Sequence, residues 1–203
     1  MVRLGVMGGT FDPLHWAHLV VAEEARIRFE LEKVLFIPAG QPSHKTNYRV
    51  SDPEHRYAMV LLGTAANPAF EVSRIEIERP GPSYSVDTIR RLKELYGPDA
   101  EIRFILGADE ALDIPNWHEA ESLPGLVRFI AAPRPGFDLA ELKTRLPARF
   151  YSAIEFLPMA PMGISGTEIR ARVASGRSIR YLVPASVEAY IRKHGLYVEG
   201  NTL

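Results

Sequence analysis

His15 and His18 stand three residues apart, a few positions after a glycine pair, in the stretch Gly8-Gly9-Thr10-Phe11-Asp12-Pro13-Leu14-His15-Trp16-Ala17-His18. Side chains three apart on a helix share a face, so the two imidazoles can act on one ligand. The chain has no cysteine, which excludes disulfides and thiol chemistry. The residues around the pair suit anion binding instead. Asp12 is a good N-cap and Pro13 a good first helical residue, so a helix is expected to begin at Pro13 with His15 in its first turn. Free N–H groups there, the positive end of the helix dipole and glycines that admit a ligand to the backbone would form a phosphate cup. Singly, a glycine pair after a strand is a turn, and a histidine on an apolar helix face is a core residue. Strand, glycine turn, cap, proline and paired histidines falling in register between Met7 and His18 is the combination that points to a ligand.

Further candidates lie along the chain. The polar stretch Gly40 to Arg49 is too rich in turn formers for helix or strand. Its His44, Lys45 and Arg49 either close over a phosphate or are ordinary loop charges. Ser165-Gly166-Thr167-Glu168 matches a capping box, Ser165 meeting the N–H of Glu168 and Glu168 reaching back. That gives a second helix N-terminus with Arg170 one turn in. Gly107-Ala108-Asp109 ends a central strand, and Asp109 reads equally as an N-cap and as the border of an adenosine. Ser83-Tyr84-Ser85 opens a helix and is read as a plain serine cap. Trp117-His118 sits at a loop tip, where an aromatic either closes a core or stacks a flat ring.

The elements that position these residues follow from hydrophobic periodicity. Val2–Met7, Lys33–Pro38, Phe70–Ile77, Ile102–Leu106, Leu126–Ala132 and Ile154–Leu157 read as strands. Helices alternate with them: one from Pro13, one from Asp52 to about Asn67 with Ala58, Leu61, Leu62 and Ala65 inward, one ending at Tyr96, one over Leu139–Leu146. Two more follow, from Ser165 and over Pro184–His194. The expected fold is therefore α/β, an open, mainly parallel sheet with helices on both faces and a small C-terminal helical extension. A chain of 203 residues fits a single domain, with residues 1–157 as the core and 158–203 as the extension. The net charge of -1 gives no basic footprint for nucleic acid, so small phosphorylated ligands fit better. No apolar run approaches a membrane span, and Met1-Val2-Arg3 runs directly into the first strand, so the expected setting is cytoplasmic, without membrane contact.

Glycine turn and histidine pair resemble the nucleotidylyltransferase superfamily, whose signature is a strand, a Gly-rich turn and an H-x-G-H tetrad. Within it the chain is similar to the bacterial nicotinate-nucleotide adenylyltransferases. That narrowing rests on Pro42-Ser43-His44-Lys45, Gly81 to Thr88, Gly107-Ala108-Asp109, Trp117-His118 and Ile164 to Arg170, all in the family's order. Two positions depart from the family: Ala17 stands for the tetrad glycine, and Gly166 for a frequent second serine. The resemblance implies a Rossmann-like domain that joins the 5′-phosphate of nicotinate mononucleotide to the α-phosphorus of ATP, with Mg²⁺ carried by the ATP phosphates and no dedicated protein ligand for it. It implies that His15, His18, Lys45 and Arg170 serve catalysis, His18 closest to the transition state. ATP would meet Gly8, Gly9, Thr10, Phe11, His15, His18, Gly107, Asp109, Ser165, Thr167 and Arg170. Nicotinate mononucleotide would meet Thr10, His44, Lys45, Tyr84, Ser85, Trp117 and His118. The alternatives are a pantetheine-phosphate adenylyltransferase, a cytidylyltransferase, or a nucleotide-sensing module without turnover. Oligomeric state, including a homo-oligomer, stays open.

Overall fold

The computed structural model describes residues 2–43 and 49–198. His44 and Lys45 thus lie outside the described residues. In chain order, β1 (Arg3–Gly9) leads to α1 (Trp16–Arg28), β2 (Lys33–Pro38), the two-residue β3 (Gln41–Pro42), α2 (Pro53–Thr64), β4 (Phe70–Val72), the two-residue β5 (Pro82–Ser83) and α3 (Ser85–Tyr96). There follow β6 (Glu101–Gly107), α4 (Ala108–Ala111), α5 (Leu123–Leu126), β7 (Arg128–Ala132), α6 (Ala140–Arg145), α7 (Ala148–Tyr151), β8 (Ile154–Phe156), α8 (Gly166–Ala174) and α9 (Ala185–His194).

Six strands form one sheet in the order β4-β2-β1-β6-β7-β8, and each neighbouring pair is parallel. Alternation along the strands divides the interior into two cores. Leu4, Val6, Phe129 and Ala131 face Ile89 and Leu92 of α3. Met7, Ile130 and Ala132 face the other way, toward Ala22 and Ala25 of α1. Met59 of α2, Ile169 of α8 and Val187 of α9 complete that second core, so the C-terminal helices are packed on the same face as α1. The fold is Rossmann-like, as the alternation of apolar strands and helices predicts.

The chain runs outward from β1 through β2 to β4 and then returns to β6 on the other side of β1. Between the carboxyl ends of β1 and β6 lies the switch point where an open α/β sheet leaves a crevice. Gly9 and Gly107 terminate the two strands there.

Six expectations need correction. Helix α1 begins at Trp16, not Pro13, and His15 in extended conformation (φ -143°, ψ 170°) is its N-cap. Asp12 does not cap, because its carboxylate accepts from the Ser51 N–H at 3.1 Å and the Tyr197 O–H at 2.6 Å. In α2 the inward residues are Arg56, Met59, Val60 and Thr64, while Leu61 and Leu62 are exposed. Burial of Arg56 turns the helix so that its polar contacts, not its leucines, face the interior. The strand expected over Phe70–Ile77 stops at Val72: the Ser73 N–H closes onto the Phe36 carbonyl, and a turn from Arg74 to Glu78 follows. Finally, the stretch expected to be free of strand contains β3, which pairs with β5, and Tyr84 rather than a serine stands at the N-cap of α3.

Candidate functional site

A cleft of about 580 Å³ opens at the switch point. Gly8, Gly9, Thr10, Phe11, His15 and His18 line it from the β1–α1 side, Gly107 and Asp109 from the end of β6, and Ser165, Thr167 and Arg170 from α8. The structure thus gathers residues more than 150 positions apart around one space of a size suited to a nucleotide. Gly107 leaves room there for the Asp109 and Arg134 side chains: a Cβ would lie 2.4 Å from Asp109 Oδ1 and 2.8 Å from Arg134 Nε, and both would have to move aside.

The two imidazoles stack, with ring centroids 3.7 Å apart and planes 22° apart, and Phe11 stands edge-on to His18 at 5.0 Å. His18 Nδ1 accepts a hydrogen bond from the His15 N–H at 3.2 Å, which fixes its ring. His15 is buried, and its Nδ1 has no hydrogen-bond partner among the described residues. Burial, and then the charge of Arg134, lowers the His15 pKa to about 4. Burial first, then His15 and Arg134, pushes His18 well below the usual imidazole value. Both rings are therefore neutral at pH 7.

The leading N–H groups of α1 are partly spent. Trp16 N–H donates to the Leu182 carbonyl at 3.1 Å and His18 N–H to the His15 carbonyl at 3.0 Å. The expected cup of free helix N–H groups is narrowed accordingly, and positive charge at the cleft comes mainly from side chains. Arg170 donates to the Asp12 carbonyl at 2.6 Å and to Thr167 Oγ1 at 3.2 Å. Ser165 caps α8 by accepting from the Glu168 N–H at 3.2 Å, whereas the Glu168 carboxylate meets Arg172 Nε at 2.9 Å instead of reaching back. Ala17 is buried in the cleft wall. At Gly166 a Cβ would stand 3.1 Å from the Asp12 carbonyl oxygen, so the glycine lets α8 approach that turn closely.

A second, smaller cleft of about 130 Å³ is lined by Ser43, Tyr84, Ser85, Asn116, Trp117 and His118. Tyr84 and His118 stack at 4.2 Å. Trp117 meets Phe104 and Phe129 edge-on, at 5.8 and 6.3 Å, so it closes a core and walls the cleft at once. The core-closing reading of Trp117 is what these contacts show.

Sequence reasoning missed several residues. Arg134 lies in the cleft wall beside Asp109, Nε to Oδ1 3.4 Å. Its position just past the end of β7 was the available signal, since ligands gather at carboxyl strand ends. Arg56, fully buried, donates to the carbonyls of Ser51, Thr10 and Gly40 at 2.9, 2.9 and 3.1 Å. Asn116 joins the second cleft. Among the described residues no cluster of three or more His, Asp or Glu side chains is placed to hold a metal ion, and no helix is long and apolar enough to cross a membrane.

Comparison with known proteins gives a consistent result. The sequence model of the Cytidylyltransferase-like family matches residues 6–172. A probable nicotinate-nucleotide adenylyltransferase of Moorella thermoacetica is 50% identical over 198 residues, covering 96% of this chain and 91% of that protein. One of Desulfitobacterium hafniense (strain Y51) is 51% identical over 199 residues, with 96% and 95% covered. Among solved structures, Plasmodium falciparum nicotinic acid mononucleotide adenylyltransferase complexed with NaAD superposes with a TM-score of 0.79 at 20% identity, covering 97% of this chain and 98% of that one. The same enzyme complexed with APC gives 0.77 with the same identity and coverage.

Proposed function

This chain belongs to the Cytidylyltransferase-like family and, within it, to the nicotinate-nucleotide adenylyltransferases, and from that premise we propose that its two clefts hold the two nucleotides of one reaction. The protein is a nucleotidyltransferase of NAD biosynthesis that transfers the adenylyl group of ATP to nicotinate mononucleotide. An oxygen of the acceptor's 5′-phosphate bonds to the α-phosphorus of ATP as the bond from that phosphorus to the bridging oxygen breaks, and the electron pair leaves with pyrophosphate. No protein nucleophile is needed, so the protein's task is to align the two phosphates and offset developing charge.

The observation that carries the residue assignment is the stacked His15–His18 pair in the wall of the larger cleft. Neutral rings avoid repulsion by the Arg134 guanidinium. A bound triphosphate favours the imidazolium, so the site gains positive charge where the phosphates lie. In this proposal His18 faces the transition state, and His15, Thr10, Ser165, Thr167 and Arg170 hold ATP phosphates along with the backbone of Gly8 to Phe11. Gly107 and Asp109 border the adenosine, with Arg134 added to the same wall. The smaller cleft takes the nicotinate ring between Trp117 and the Tyr84–His118 stack, and the N–H groups at Ser85 receive its carboxylate. His44 and Lys45 are assigned to the acceptor phosphate on resemblance alone. Mg²⁺ enters with the nucleotide. Residues 158–203 are read as part of the same domain, since α8 supplies one wall of the site.

Side-by-side rates with nicotinate mononucleotide, nicotinamide mononucleotide and phosphopantetheine test the acceptor. The nicotinate compound should be used fastest. Phosphopantetheine as the best acceptor, or no pyrophosphate release with any of them, would overturn the reading.

A further inference from the structure

We propose that Tyr197, three residues beyond the end of α9 and outside both clefts, is a positioning residue for the ATP site and acts through Asp12. The inference rests on the larger cleft binding ATP. Asp12 is buried and held from three directions. Its Oδ1 accepts the Tyr197 O–H at 2.6 Å, its Oδ2 accepts the Ser51 N–H at 3.1 Å, and its carbonyl oxygen accepts Arg170 Nη1 at 2.6 Å. The Asp12 carbonyl is also the atom against which Gly166 packs without a side chain. On either side of Asp12 in sequence stand Phe11, edge-on to His18, and the segment that leads to His15. One residue therefore links the C-terminal segment, the approach to α2, the first turn of α8 and the histidine pair.

A buried carboxylate oxygen that loses its donor finds no water to replace it and moves until it is paired. Movement of Asp12 carries its own carbonyl, and with it Arg170 on one side and Phe11 on the other. Tyr197 is itself held in an uncommon backbone conformation, φ +66°. Such conformations persist where surrounding contacts over-determine them, and they gather near functional sites. The phenol is pushed well above its ordinary pKa of 10.0, by burial first and by the Asp12 charge next, so it remains a proton donor at working pH.

The test is a cycle of Tyr197→Phe, Asp12→Asn and the double variant, read by calorimetric ATP affinity, by KM for each substrate, and by melting temperature. Tyr197→Phe keeps the ring packed against the second core and removes only the hydroxyl. It should weaken ATP binding about tenfold, the scale of a lost hydrogen bond to a charged group, and leave the acceptor KM within about twofold. The double variant should bind ATP no worse than Asp12→Asn alone, because both changes act on one path. General destabilisation would lower the melting temperature without separating the two substrates. An ATP affinity of Tyr197→Phe within about twofold of the unsubstituted protein, or additive losses in the double variant, would overturn the inference. If the unsubstituted protein binds ATP but makes no dinucleotide, the acceptor reading falls, and the affinity cycle still decides the role of Tyr197. Absence of ATP binding would end both.

Discussion

His15 and His18 are neutral at pH 7 because burial and Arg134 oppose their charge. This has a consequence for stability. Between the ordinary pKa of 6.5 and about 4, the unfolded chain takes up a proton that folded His15 refuses. Stability should therefore be full above pH 6.5 and fall as pH drops through that window. For His15 alone the loss is on the order of 3 kcal/mol, and His18 adds in the same direction. Denaturant unfolding at a series of pH values checks this, and saturating ATP should flatten the slope by favouring the protonated rings; an acid-insensitive midpoint would contradict it. At this scale the sequence was partly readable. The glycine turn, the paired histidines and Arg170 carry a local pattern of spacing. Tyr197 carries none, because its partner Asp12 is 185 positions away.

At the scale of elements, apolar strands were readable because parallel strands covered on both faces must be continuous apolar runs, as in Val34 to Ile37. Helix facing was not. The inward side of α2 is set by Arg56, and a helical arginine is by default a solvated residue. Its burial follows from three carbonyls, from Thr10, Gly40 and Ser51, that have to be satisfied away from water. Nearby Glu76 is also buried, bonded by the Thr88 hydroxyl at 2.6 Å, and its carboxyl pKa is raised by that burial. Arg56→Met fills similar space without donors. It should cost about 3–5 kcal/mol, the scale of leaving three buried carbonyls without their donor, as measured by urea unfolding. A loss below about 1 kcal/mol would show that α2 is not anchored through this side chain. The start of α1 was misplaced for a related reason: Asp12 looks like a cap in sequence, but contacts from Ser51, Arg170 and Tyr197 use its oxygens elsewhere.

At the scale of the molecule, strand order explains why the site lies where it does. The return from β4 to β6 leaves a crevice beside β1, and α8 closes it from the far end of the chain. Sequence order indicated the parallel sheet, and the end of β7 pointed toward Arg134, yet the second cleft's Asn116 appears only once the loops are placed. We propose that the stacked histidines at this crevice serve adenylyl transfer. This is tested most directly by pyrophosphate and dinucleotide formation from ATP and nicotinate mononucleotide, comparing the unsubstituted protein with His18→Ala at matched circular dichroism. The unsubstituted protein should release the two products in equal amounts, and His18→Ala should be slower by about two to three orders of magnitude, the scale of removing a group that stabilises transition-state charge. Equal rates from the two proteins would contradict the account.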